Sequence, residues 1–163
     1  MDMTGRINLI LQNPTYKQCY DKIAAWEKDR SHCKHDLTHF LDVARITYIL
    51  TLEEDVAINK EYIYAAALLH DIGRHMEYEE EVPHDKAGGA ICVPILQACQ
   101  FNEEEIACIQ EAILSHCNPS VKEHKNLAGY LYRGDKMSRT CYSCHKVEQC
   151  EWENKKKNLQ IRR

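Results

Sequence analysis

Apolar residues recur every three or four positions along most of the chain, a spacing that is typical of helices with one buried face. Stretches in which polar and apolar residues alternate, which would predict strands, are weak. The pattern therefore predicts an all-α fold. The predicted helices cover residues 6–11, 14–30, 36–52 and 58–69, then a segment that starts at His84, a segment that follows Asn102, and 127–135. Residues 31–35 are predicted as a connector and 77–83 as an acidic loop.

Capping residues mark several of these boundaries. Asn13 precedes Pro14, a pair that favours the start of a helix. Asn102 is followed by three glutamates, which are stabilised at the positive end of a helix dipole. Ile72 and Gly73 are expected to lie at the end of the preceding helix.

Length and composition narrow the classes of function. The chain has 163 residues, enough for one domain with a buried core. Its net charge of −4, with both signs intermixed, disfavours nucleic acid or an anionic membrane as the main partner. The chain has no apolar run long enough to cross a membrane and no secretory signal, so we expect a cytoplasmic protein. Its nine cysteines, an odd number, are expected to stay reduced there.

The dipeptide His70-Asp71 follows a run of small and apolar residues that Gly73 then interrupts. An imidazole beside a carboxylate suits divalent Mn, Fe, Co, Ni or Zn. Neighbouring helical side chains point about 100° apart, so the two can reach one ion only near a helix end. The sequence around Gly73 predicts such an end.

Several other polar residues also lie at helical spacing from an apolar stripe and are expected to face the core. With His70, this set comprises His39, His84, His116 and Asp135. Burying such groups without partners costs about 1–3 kcal/mol each. One or two metal ions would satisfy all of them together. The alternative is that each residue bonds separately to a neighbouring backbone carbonyl.

Three segments occur in the order found in one family. They are the segment that begins Thr38-His39, the segment Leu68-Leu-His-Asp-Ile-Gly73, and Arg133-Gly-Asp-Lys-Met-Ser138. Together they resemble the HD superfamily of metal-dependent phosphohydrolases, and the resemblance covers residues 36–139. It implies a single HD-type helical domain over 36–139, preceded by a helical segment at 1–35 and followed by a short cysteine-containing tail at 140–163.

Two further matches resemble a subset of this superfamily that has two extra histidines. One is the segment that begins at His84, and the other is Ile113-Leu-Ser-His116. Members of the subset, which include diadenosine tetraphosphate hydrolases and cyclic-dinucleotide phosphodiesterases, hold two metals bridged by the aspartate of the His-Asp pair. The resemblance implies the following ligands: Asp71 as the bridge, His39, His70 and Asp135 on one ion, and His84 and His116 on the other.

The resemblance implies an enzyme that hydrolyses a phosphoester or phosphoanhydride of a small, nucleotide-like phosphorylated molecule, with one or two Fe or Mn ions. Asp71, Arg74 and Arg139 are the candidate catalytic residues, and Lys86 and Lys136 the candidate substrate contacts. Arg74 suits a phosphate because a guanidinium can bind it through two parallel hydrogen bonds.

Other interpretations stay open at this point. His35 lies one turn before His39 and is an alternative ligand, although the Val-Ala-Arg that follows favours His39. A few relatives use a diiron centre with the same ligand order to oxidise substrates with O₂. A third interpretation is a non-catalytic module that binds a nucleotide or a metal. The sequence indicates no particular oligomeric state.

The C-terminal segment carries a second signal. Cys141 and Cys144 form a Cys-x-x-Cys pair, a chelating spacing for Zn²⁺ or an iron–sulfur cluster, and Cys150 follows. Cys33 is the preferred fourth ligand, with Cys117 and His145 as alternatives. Free thiols are the competing interpretation. Three further cysteines fit core positions as small apolar residues; these are Cys92, Cys99 and Cys108.

Overall fold

The computed structural model of the protein describes residues 5–163, and within this range it contains helices and no strands. The all-α prediction is thus confirmed. The α-helices are α1 (Gly5–Gln12), α2 (Pro14–Trp26), α3 (Leu37–Glu53), α4 (Lys60–Leu69), α5 (Arg74–Glu80), α6 (His84–Ala98), α7 (Glu103–Ser115) and α8 (Leu127–Met137). Short 3₁₀ turns lie at Pro119–Val121, Cys141–Ser143 and Asn154–Lys156. None of the described helices has the length and apolar character needed to cross a bilayer.

Side-chain caps fix the starts of the helices that matter most for the site. Asp36 accepts a hydrogen bond from the backbone N–H of His39 at 3.0 Å and so begins α3. Asn102 and Glu105 form a reciprocal capping box at the start of α7. The predicted starts near residues 14, 36, 103 and 127 agree with the observed helices.

The acidic loop predicted at 77–83 is wrong for most of its length. Residues up to Glu80 belong to α5, and only 81–83 lie outside a helix. The glutamates favour a helix as much as a loop, and α5 buries His75. The helix ends at Glu80, and the residue that caps it, Glu81, has a φ of 58° in the left-handed region. The helix predicted over 14–30 also ends earlier, at Trp26.

Helix α4 lies at the centre of the molecule and packs against α1, α3, α7 and α8. Its last residues, Ala65 to Leu69, are fully buried. The first two helices contribute Ile10 and Ile23 to the same hydrophobic core. The central helix therefore delivers the two residues that follow it, His70 and Asp71, to the interior.

The chain after α8 packs against the helical domain through side-chain hydrogen bonds. The Asn158 side chain donates hydrogen bonds to the carbonyls of Lys136 and Arg139, each at 2.9 Å. Arg163 donates to the Glu53 carboxylate on α3. These contacts keep the segment after α8 close to the helix that carries Asp135.

Candidate metal centre

The six predicted His/Asp ligands converge in the structure, and each comes from a helix end or the turn beside it. His39 is in the first turn of α3, and His84 is the first residue of α6. His70 and His116 are the C-terminal caps of α4 and α7. Asp71 follows His70, and Asp135 lies in the last turn of α8. Because helices end here, neighbouring side chains can converge where a continuous helix would spread them apart.

One group of ligand atoms comprises His39, His70, Asp71 and Asp135. Oδ2 of Asp71 lies 2.9 Å from Nε2 of His70 and 3.4 Å from Nε2 of His39. Oδ1 of Asp135 lies 3.5 Å from each of the same two nitrogens. Two imidazoles and two carboxylates thus face one point in the interior.

A second group lies on the other side of Asp71 and comprises His84, His116 and Cys117. The Nε2 atoms of the two histidines are 3.2 Å apart. They lie 3.5 and 3.6 Å from Oδ1 of Asp71, the carboxylate oxygen that the first group does not use. The Asp71 side chain, only 2% exposed, is therefore shared between the groups, one oxygen facing each.

Each ligand histidine is oriented through its other ring nitrogen. Nδ1 of His70 donates to the carbonyl of Ala67, and Nδ1 of His116 donates to the carbonyl of Ile113, both at 2.6 Å. The remaining two pairs are His84 Nδ1 with Glu77 Oε2 at 2.9 Å and His39 Nδ1 with Ser138 Oγ at 3.3 Å. Such contacts fix Nε2 as the atom that points into the centre, as is usual for metal-binding imidazoles.

The donor set fits a divalent cation. Nε2 of His39 and Nε2 of His70 are buried and form no hydrogen bond of good geometry among the described residues, although carboxylate oxygens of Asp71 and Asp135 lie 2.9–3.5 Å away. Leaving a buried nitrogen unsatisfied costs about 1–3 kcal/mol. Imidazole nitrogens mixed with carboxylate oxygens suit Fe, Mn, Zn and similar ions. A cation at this point would satisfy both nitrogens at once.

Interactions between neighbouring charges in the centre shift the pKa values of its residues, and these shifts are larger than the opposite effect of burial. Burial disfavours the charged form of His70, but the carboxylates of Asp71 and Asp135 raise its pKa to about 9. In the same way, contact with Asp71 and Cys117 raises the pKa of His116 to about 10. Burial would raise the pKa of Asp71, yet His70 and Arg74 hold it well below its usual range. The two carboxylates therefore stay ionised at neutral pH.

The four candidate cationic residues lie in different places. Nζ of Lys136 donates to Oδ2 of Asp135 at 2.7 Å, and Nε of Arg74 donates to Oδ1 of Asp71 at 3.1 Å, so both lie at the centre. Arg139 instead donates to the carbonyl of Lys34 at 3.0 Å. Lys86 is exposed on α6, and its backbone N–H donates to Asp85.

His35, the alternative ligand, lies beside the first group. Its Nδ1 is 2.9 Å from the Glu27 carboxylate, and its Nε2 is 3.9 Å from Oδ2 of Asp71. His39 is closer to Asp71 and also faces Asp135. The geometry thus favours His39 as the ligand and gives His35 a flanking position.

Sequence analysis missed Cys117 at this site and treated it only as an alternative ligand of the tail. Its Sγ lies 3.3 Å from Nε2 of His84. Burial would raise the pKa of this thiol, but hydrogen bonds with His116 and His84 lower it to about 6. Its position directly after a candidate ligand, His116, was the available signal. The other residues missed were Glu77 and Ser138, which orient His84 and His39.

Comparison with known proteins identifies the family of the chain. The HD domain family matches residues 36–141, more than half of the chain, and the protein therefore belongs to the HD domain family. An uncharacterized protein of Clostridium beijerinckii is 44% identical over 96% of this chain and 98% of its own length. Ribonuclease Y 1 of Levilactobacillus brevis is 32% identical over 66% of this chain, a match that spans 23% of the ribonuclease. No solved structure matches the chain significantly.

Membership of this family suggests a metal-dependent phosphohydrolase, and the described residues include two groups that could hold a metal ion.

Proposed function

We propose that the protein hydrolyses a phosphoester or phosphoanhydride of a small, nucleotide-like molecule with the help of two divalent metal ions, Fe²⁺ or Mn²⁺. One observation carries the proposal. The two oxygens of Asp71 face two separate groups of ligand atoms, Oδ2 towards His70 and Oδ1 towards His84 and His116. A carboxylate in this position is suited to bridge a pair of ions. The same division favours the subset of the family that has two extra histidines.

The residues that would hold the ions form two sets, and Asp71 belongs to both. The first set is His39, His70, Asp71 and Asp135, and the second is His84, His116 and Asp71, with Cys117 as a further donor. Paired divalent ions about 3.5–4 Å apart act as Lewis acids on a phosphate and on a water nucleophile.

Lys136 is placed to attract the substrate's phosphate. Its ammonium lies on Asp135 and within 3.3 Å of the His116 carbonyl, so it spans the two groups. Burial opposes the charge, but the neighbouring Asp135 carboxylate raises the pKa of Lys136, which stays cationic at neutral pH. Its side chain is 42% exposed, so a phosphate can reach it from solvent.

The Arg74 guanidinium is held beside the centre by two carboxylates. It bonds to Asp71 and to Glu77, and each of these carboxylates faces a ligand histidine. We propose that Arg74 orients Asp71 and offers its remaining N–H groups to a phosphate oxygen. Arg139 and Lys86 have no contact with the centre, and Arg139 is better suited to holding the segment after α8.

The rim of the centre defines the direction of approach. His70, His116 and Asp71 are almost fully buried, whereas Cys117 is exposed and Lys136 and Glu77 are partly exposed. A substrate would therefore enter over Cys117 and Lys136 and reach the second group first. The buried ligands behind it limit the access of bulk water.

The test is a hydrolysis panel with protein loaded with Fe²⁺ or Mn²⁺ under anaerobic conditions. The panel holds nucleoside phosphates, a dinucleoside polyphosphate, a cyclic dinucleotide and, because one relative is named a ribonuclease, a short RNA. Asp71→Ala should abolish turnover, and Asp21→Ala, which changes an exposed aspartate on α2, should not. Turnover unchanged in Asp71→Ala would overturn the proposed site.

The same panel separates the two alternative functions. Products that form only with O₂, with matching oxygen consumption, would replace hydrolysis by the diiron oxygenase interpretation. Saturable binding of a nucleotide with no turnover of any substrate would favour the non-catalytic module.

A further inference from the structure

We propose that one Zn²⁺ ion is bound by four cysteines, Cys33, Cys141, Cys144 and Cys150. The ion would hold the segment after α8 against the part of the domain that carries His39. These cysteines are not among the ligands of the His/Asp centre, although His39 also lines their cavity, and the site does not depend on the proposed function. It uses cysteines that the hydrolytic chemistry leaves without a role.

The first support is convergence of distant segments. Cys33 lies in the connector before α3, whereas the other three cysteines follow α8. All four nevertheless line one cavity of about 360 Å³, together with His145. Each is a free thiol of intermediate burial. Cys117 does not line this cavity, and its thiol lies beside His84, which favours Cys33 over Cys117 as the fourth ligand.

The chemistry of the set fits zinc. Four thiolates are a common donor set for structural Zn²⁺, and Cys141 and Cys144 have the Cys-x-x-Cys spacing of such sites. The backbone N–H of Lys146 donates to Sγ of Cys144 at 3.4 Å. An amide donated to sulfur stabilises the thiolate form, as outer contacts do around other metal ligands.

The charges around the cavity also favour an anionic cluster. Zn²⁺ with four thiolates has a net charge of −2. Lys34, Arg139 and Lys157 line the cavity, against two acidic side chains, Asp36 and Asp42. The wall is therefore net positive when its histidines are neutral, which offsets part of the charge of the cluster.

The backbone of Cys33 gives a further indication. Its φ of 52° lies in the left-handed region, which is strained for a residue other than glycine. Such a conformation persists where the surroundings hold it, and it is commonest at functional positions. A bond from Cys33 to an ion would supply part of that restraint.

Binding would tighten the cavity. Within residues 5–163, the sulfurs do not come as close together as the ligand atoms of the His/Asp groups. After α8 the described chain forms only short 3₁₀ turns and no α-helix, so bringing the sulfurs together would disrupt no helix there. Closing on an ion would press Ser138 and Arg139, which also line the cavity, against α3. Ser138 lies 3.3 Å from Nδ1 of His39, which links the zinc site to the first ligand group.

The test measures zinc in full-length protein purified without chelators. Wild type should hold about one equivalent of zinc. This zinc should remain in Asp71→Ala and should be lost in Cys141→Ser and in Cys33→Ser. Cys108→Ser, which changes a partly buried cysteine on α7, is the matched control and should keep the ion. An unchanged zinc content in both Cys141→Ser and Cys33→Ser would overturn the site, as would the visible absorption of an iron–sulfur cluster. Because Asp71→Ala separates the two centres, failure here is distinct from failure of the proposed function.

A second measurement covers variants that fail to fold. In wild type, alkylation followed by peptide mass analysis should show the four cysteines protected, then reactive once a chelator removes zinc. Cys108 should react equally in both conditions. Equal labelling of the four cysteines with and without the chelator would contradict the proposal, and a disulfide among them would contradict it as well.

Discussion

The Nε2 atoms of His84 and His116 lie 3.2 Å apart, and both face Oδ1 of Asp71. Their Nδ1 atoms are engaged elsewhere, with the Glu77 carboxylate and the Ile113 carbonyl. Two imidazoles fixed in this way can share a proton or a cation with the carboxylate between them. This relationship favours the proposed two-ion centre over a single four-ligand site formed by His39, His70, Asp71 and Asp135 alone.

Changing His116 to glutamine should remove the second ion and leave the first. The His/Asp centre should then hold about one equivalent of metal instead of two, and kcat should fall at least about 100-fold, equivalent to about 2.7 kcal/mol of transition-state stabilisation. Elemental analysis and single-substrate kinetics measure both. His124→Gln, at an exposed position, is the control. Loss of both ions, or of neither, would argue against two separable groups.

Replacing Lys136 with methionine should weaken the productive binding of a phosphate while the protein stays loaded with metal. A hydrogen bond to a charged group is worth about 1.5–3 kcal/mol, so kcat/KM should fall about 10- to 150-fold. Lys136→Arg should restore part of the loss because it keeps the charge. Lys122→Met, at an exposed position, should have little effect. An unchanged kcat/KM in Lys136→Met would remove this residue from the substrate site.

Gly73 permits a close approach between the turn after Asp71 and the start of α6. A Cβ at this position would lie 2.5 Å from the carbonyl oxygen of His84 and 2.5 Å from the amide nitrogen of Gly88. Since both atoms are backbone, Gly73→Ala should displace α6 and cost about 1–3 kcal/mol of folding stability. In thermal unfolding the Tm should fall by several degrees, whereas Gly5→Ala, with open space around it, should not change. Equal Tm values for the two variants would contradict this packing.

The metal-free protein should lose stability as the pH rises above neutrality. The folded-state pKa values of His70 and His116 are raised to about 9 and about 10, above the ordinary value near 6.5. Folding therefore favours the protonated imidazoles. Their contribution is fully present below about pH 6.5 and is lost as the pH rises through about 9 to 10. The lowered pKa of Cys117, about 6 against an ordinary value near 9, offsets part of this loss up to about pH 9, so the fall should be steepest above pH 9. Urea unfolding of chelator-treated protein from pH 6.5 to 10 should show this fall, and the fall should be smaller in His116→Gln. A fall of the same size in that variant would contradict the assignment.

The periodicity of the helices was enough to predict which faces point inward. His39, His84 and His116 each lie at helical spacing from an apolar stripe, and the structure buries all three. The family resemblance added the order of the ligands. The HD family match confirms the predicted family, and the helices confirm the predicted all-α fold.

What the sequence could not supply depends on how distant helix ends meet. Glu77 was assigned to a loop, yet α5 places its carboxylate on the ring of His84. Arg139 is only four residues after Asp135, but the chain turns beyond α8 and carries its guanidinium to the Lys34 carbonyl. Periodicity places a residue on a face of its own helix, and it contains no information about which atoms of another segment lie opposite.

The central claim is most directly tested by the metal content of the His/Asp centre in anaerobically reconstituted protein. Two proteins should be compared, one with Cys141→Ser alone and one with Cys141→Ser and Asp71→Ala. Cys141→Ser is present in both so that zinc bound by the tail does not contribute. With Asp71 present, we expect about two equivalents of iron or manganese, and in Asp71→Ala we expect almost none. A single equivalent with Asp71 present would contradict the two-ion centre, and two equivalents retained in Asp71→Ala would exclude Asp71 as the bridge.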